Sequence, residues 1–100
     1  MFKIAALYKF AKVFHPDNLQ TEIRANLKSL SIHGTILVGQ EGLNGTISGS
    51  KKNIDKAIVY IRQLKNFKDI DVKFSEANIN PFIRLKIKLK DEIVTIGDKT

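Results

Sequence analysis

Two stretches of this chain carry apolar residues at helical spacing, and both stand among short β-favouring runs, an order that few folds can satisfy. Leu19, Ile23, Leu27 and Leu30 mark one stripe; Ile54, Ala57, Ile58, Ile61 and Leu64 mark the other. A stripe of that width is buried only against a second layer, and the β-favouring runs supply it. Residues 2–13 mix β-favouring residues with lysines and predict a first strand covered on both faces. Residues 35–39 predict a second strand. Asn44-Gly45 tolerates the positive φ of a type I′ turn, so it predicts a hairpin with residues 46–48 returning. Residues 71–77 alternate Val72 and Phe74 against Lys73 and Ser75, as a half-buried strand does. After a turn at 78–81, residues 82–90 predict a further strand.

The helix limits are also marked. Asp17, with Gln20 three residues on, resembles a capping box, and His33-Gly34 ends the first helix near residue 31. Ser50 is placed to cap the second. Two helices on one face of a mostly antiparallel sheet define an α+β fold. The order predicts a ferredoxin-like (acylphosphatase-like) βαββαβ sandwich with an additional C-terminal strand. It extends over residues 1–97 as a single domain, with 98–100 as a tail. Residues 92–96 read as more strand without a partner, so the expectation is a piece of a longer protein.

Charge narrows the function. The formal net charge is +7 and the sequence pI about 9.8, which favours polyanionic partners. In residues 82–90, Ile83, Leu85, Ile87 and Leu89 point one way while Arg84, Lys86, Lys88 and Lys90 point the other. Four cations on one face repel each other, and a phosphate-bearing partner relieves that repulsion with salt-sensitive, weakly selective affinity. The competing account is an edge strand guarded by lysines against aggregation. Lys73 joins the group if residues 71–77 pair nearby. Tyr8, Phe10, Phe67 and Phe82 are assigned mainly to the core rather than to stacking on bases.

Several chemistries are excluded. The absence of cysteine removes disulfides, a thiolate nucleophile and cysteine-bound zinc. His15 and His33 have no second ligand at a useful spacing, so no metal is expected. Ser48, Ser50 and Ser75 lack an accompanying base, and Glu41 has no second carboxylate near it. Gly42-Leu43-Asn44-Gly45 lacks the lysine-serine pair of a phosphate-binding loop. Acylphosphatase chemistry calls for an arginine and free amides between the first strand and helix. Residues 13–18 hold no arginine there, Pro16 lacks an amide hydrogen, and Asp17 repels phosphate. No apolar run approaches the roughly 20 residues of a membrane span. Lys9 and Lys12 interrupt the N-terminal apolar stretch, so it reads as a strand and the default compartment is the cytoplasm.

Two motifs carry a resemblance. Glu41-Gly42-Leu43-Asn44-Gly45-Thr46 follows a strand, and a basic run through Arg84, Lys86 and Lys88 leads to Glu92-Ile93-Val94-Thr95 and Gly97. Together they resemble the N-terminal domain of the TrhO-type (YceA-like) tRNA uridine hydroxylases, a family with a rhodanese-like domain. Leu43 replaces the family's isoleucine. The resemblance implies oxygen-dependent hydroxylation of the wobble uridine by the full-length protein, with catalysis tied to a cysteine in a downstream rhodanese-like domain. It implies an accessory, tRNA-gripping role for this domain, without catalytic residues or a cofactor of its own. The alternative is a scaffold that docks on and orients the rhodanese-like domain without touching RNA. In Gln40–Ser50, Asn44-Gly45 serves the turn, Gly42 and Gly49 bound the hairpin, and Glu41 and Leu43 remain for contact with substrate or the next domain.

Overall fold

The computed structural model describes residues 1–90, in the order β1 (Phe2–Phe10), α1 (Pro16–Ser29), β2 (His33–Gly39), β3 (Gly42–Gly49), α2 (Lys51–Gln63), β4 (Asp71–Ala77) and β5 (Leu85–Leu89). The strands form one sheet in the order β4-β1-β3-β2-β5. Three pairings are antiparallel, and β5 joins β2 in parallel. This is the expected ferredoxin-like α+β arrangement with its additional strand at one edge. Residues 92–96 lie outside the described residues.

The helices lie on one face because only that face is apolar throughout. Ala5 and Leu7 of β1, Ile36 and Val38 of β2, Leu43 and Ile47 of β3 and Ile87 of β5 are buried there. Against them pack Ile23 and Leu27 of α1 and Ile54, Ala57, Ile58 and Ile61 of α2. Each such side chain contributes about 1.5–3 kcal/mol on leaving water. The two predicted stripes are thus the two helix faces of the core.

The helix starts differ from each other. Ser50 caps α2 as expected, its Oγ accepting from the Asn53 amide at 3.2 Å. The capping box at Asp17 and Gln20 does not form. Pro16 opens α1, no side chain caps it, and Asp17 accepts from its neighbour Asn18. Gln20 Nε2 instead donates to the Ile87 carbonyl at 2.7 Å, and Arg24 Nη2 donates to the same oxygen at 3.0 Å. The added strand is clasped to α1 by these bonds. A tertiary acceptor has displaced the local cap. His33, expected at the end of α1, begins β2, with Nδ1 3.1 Å from the Phe82 carbonyl oxygen.

The hairpin also sits elsewhere. Gly39 pairs with Gly42, so Gln40 and Glu41 make the turn, and Asn44 and Gly45 lie within β3. Turning at Asn44-Gly45 would forfeit ladder bonds that β3 makes to β1 and β2 over Gly42–Gly49. The glycine the turn needs is Gly42, at φ +144, where a Cβ would lie 2.0 Å from the Lys9 carbonyl oxygen. Gly42 and Gly49 do mark the ends of the strand.

The helices are tied to each other by Tyr60, whose hydroxyl donates to Glu22 at 3.0 Å. Burial, and then that bond, push the phenol well above its ordinary 10.0. The folded protein holds a proton that the unfolded chain releases, so stability should fall as pH rises through 10. Melts from about pH 9 to 11 should show the fall, and Tyr60→Phe should flatten it. An unchanged slope in that variant would refute the assignment.

Candidate functional site

Cross-strand register places residues in rows on the face of the sheet away from the helices. One row runs Asp71, Tyr8, Asn44, Leu37, Lys88; the next runs Lys73, Ala6, Thr46, Thr35, Lys86. No helix among the described residues packs on this face. Tyr8 is 43% and Phe10 69% exposed, so of the aromatics assigned to the core only Phe67 is fully buried there. Alternation explains the difference. β1 is apolar on both sides, Ala5 and Leu7 inward and Tyr8 and Phe10 outward, but it is covered on one side only.

The basic run divides. Lys86 is exposed and Lys88 half-buried in β5, both on the open face. Arg84 precedes the strand; it is exposed, and its carbonyl accepts from the Gly34 amide at 2.9 Å. Ile83, expected to point the same way as Leu85, Ile87 and Leu89, lies ahead of the strand, which starts at Leu85, and is 90% exposed. Arg24 of α1 joins Arg84, Lys86 and Lys88 around a recess of about 380 Å³ along the β5 edge, whose lining contains no acid. Sequence reasoning missed Arg24, since nothing local to α1 signals that β5 will lie beside it.

Lys90 stands apart, bound to Glu41 of the β2–β3 turn at 2.6 Å. The hydrogen bond from Lys90, and then its charge, hold the Glu41 carboxyl below the usual carboxylate range. This pair gives Glu41 a structural partner across the turn. Leu43, grouped with it as a contact residue, is core. Lys73 does not join the β5 cations. It is exposed on β4, and β4 and β5 are opposite edges of the sheet with β1, β3 and β2 between them. At about 4.8 Å per strand, the separation is roughly 20 Å.

The ion pairs sharpen the picture. Among the described residues they engage Lys3 with Asp55, Lys9 with Asp69 and Lys90 with Glu41, and none includes Arg84, Lys86 or Lys88. The repulsion along β5 is therefore left to solvent. In the loop after β1, the Ala11 and Val13 amides donate to the Glu41 and Gln40 carbonyls at 2.9 and 3.0 Å and so are taken from any phosphate there. Among the described residues no three His, Asp or Glu side chains converge on a common point suited to a metal, and no helix is long and apolar enough to cross a membrane.

Residues 2–93 match the family model described as the UPF0176 acylphosphatase like domain. The chain belongs to this family. Its relatives include a tRNA uridine(34) hydroxylase of Bartonella quintana, 43% identical over 96 residues, and one of Nitrobacter hamburgensis, 41% identical over 102 residues. The matches take in 96% and 98% of this chain but 32% and 40% of those relatives, so the chain spans about a third of their length. Among solved structures it resembles the BLUF protein BlrB, at TM-score 0.69 and 15% identity over 98% of this chain and 77% of that one. It also resembles an acylphosphatase from Coxiella burnetii, at TM-score 0.55 and 7% identity over 87% of this chain and 90% of that one. These two likenesses concern the fold alone. The β1–α1 loop of this chain lacks arginine, and its Ala11 and Val13 amides are committed to backbone carbonyls.

Proposed function

We propose that this domain grips tRNA for a tRNA uridine hydroxylase, through phosphate contacts along β5. The observation that carries the reading is the recess lined by Arg24, Arg84, Lys86 and Lys88 with no acid in it. A run of cations without counter-charges suits a phosphate backbone. The relatives' names supply the substrate class. In this reading the domain contributes no catalytic group and no cofactor; hydroxylation of the uridine, an oxygen-dependent step, belongs to a rhodanese-like domain in the remainder of the protein. Lys73 adds a contact from the far edge, and Lys90 serves the turn first.

A second reading is a scaffold that orients the remainder of the protein. It draws on Ile79 and Ile83, 77% and 90% exposed in the connection between β4 and β5. Titration of the labelled chain with unmodified tRNA at low and moderate salt separates the two. Amide shifts over residues 84–90 that weaken with salt are expected. Lys86→Ala with Lys88→Ala should weaken binding about tenfold and make the slope of log K against log salt shallower by about 2. If no shift occurs at low salt, while the complementary part of a full-length relative perturbs Ile79 and Ile83, the scaffold reading replaces this one.

A further inference from the structure

The open face holds two exposed aromatic rings for which the packing of the domain has no use. Tyr8 and Phe10 stand two residues apart on one side of β1, with ring centroids 5.2 Å apart and planes at 73°. β1 is an interior strand, flanked by β4 and β3, so the rings do not lie on an edge strand; they stand at the end of the sheet where Phe10 closes β1 opposite Gly42. A large apolar side chain left in water forgoes the stabilisation that burial gives. Beside the rings is a cavity of about 210 Å³, to which Leu37, Gly42, Asn44 and the paired Glu41 and Lys90 also contribute. Gly42 faces Phe10 across the ladder and puts no side chain of its own beside that ring. Asn44 pairs with Tyr8 on one side and Leu37 on the other, and it is exposed, with an amide able both to donate and to accept.

We infer that this face stacks unpaired nucleobases of RNA on Tyr8 and Phe10, with Asn44 bonding a base edge and Lys86 and Lys88 holding the strand's phosphates. The inference rests on the RNA-gripping reading and specifies which part of the RNA is held. Charge and register favour this occupant over a protein. The row through Tyr8 and Asn44 ends at Lys88 on the β5 side and at Asp71 on the β4 side. A polyanion lying across the rings is therefore drawn toward β5 and its basic recess. Flat rings on an uncovered sheet suit bases that have left a duplex, since a paired base presents no free π-face. A paired stem would meet the lysines but not the rings.

The test compares a ten-nucleotide oligouridylate with an RNA duplex of matched length at one low salt concentration. The oligouridylate is expected to bind more tightly. Tyr8→Ala and Phe10→Ala should each weaken it on the order of tenfold while changing duplex affinity less than about twofold. The chain has no tryptophan and two tyrosines, so in a Tyr60→Phe background all tyrosine emission comes from Tyr8. Stacking should quench that emission with oligouridylate and leave it unchanged with duplex, a readout that does not require an alanine variant to fold. Equal affinity for the two RNAs, ring variants without effect and unquenched emission would overturn the stacking inference, while loss of both affinities in the Lys86→Ala, Lys88→Ala variant would keep the phosphate reading. No affinity for either RNA would overturn both. Quenching by the complementary part of a full-length relative, with none by RNA, would assign the face to protein.

Discussion

Gly45→Ala should destabilise the domain by about 1–3 kcal/mol or more, lowering the melting temperature by on the order of 10 °C. A Cβ at this position would lie 2.2 Å from the Thr35 carbonyl oxygen and 2.7 Å from the Ile36 Cα. Both are backbone atoms of β2, so relief requires the two central strands to part, which disturbs the register that places Leu43 and Ile47 in the core. The neighbouring Asn44→Ala should change stability by less than about 0.5 kcal/mol, because Asn44 is an exposed strand residue with no bond that the fold requires. The contrast decides between strand and turn. If Asn44-Gly45 formed a hairpin turn, both substitutions would cost stability. Thermal melts of the two variants that fell together would refute the strand placement.

Ile87→Ala should cost about 2–4 kcal/mol, and its effect should be concentrated on β5. Ile87 is 2% exposed and is the one fully buried residue of β5, whose only sheet partner among the described residues is β2. Its carbonyl also receives both the Gln20 and Arg24 bonds. Emptying its site loosens the strand from α1, and Arg24 then loses the acceptor that holds it beside Arg84, Lys86 and Lys88. Hydrogen exchange should accelerate at the amides of Leu85–Leu89 more than in β1 or β3, and tRNA affinity should fall although no cation has been removed. Ile54→Ala, equally buried but on α2, serves as the comparison. It should lower stability by a similar amount without that local loss of protection. Uniform acceleration across the sheet in Ile87→Ala would show that β5 is no separate unit and that the clasp does not position the cations.

What was legible in the chain follows from which interactions are local. The two apolar stripes repeat with the helical period, so their inward faces and the α+β order could be read directly, as could the Ser50 cap, whose partner lies three residues on. The alternation in β5 identified Lys86 and Lys88 as a pair on one face for the same reason. Contacts between distant segments decided the rest. Gln20 carries a capping signature but bonds a carbonyl 67 positions away. Asn44-Gly45 carries a turn signature but is held in a ladder by strands on both sides, and Gly42, not Gly45, takes the turn's positive φ. Tyr8 and Phe10 have the composition of core residues. That they face outward depends on helices covering one side of the sheet only, and that Arg24 meets the β5 cations while Lys73 does not depends on strand order. The sequence by itself determined the elements, their inward faces and the excess of positive charge, because periodicity and composition are properties of neighbours along the chain. Only the tertiary structure decided which turn forms, which aromatics remain exposed and which cations gather, because each of these is settled by long-range pairing whose free energy exceeds that of the local signal it overrides.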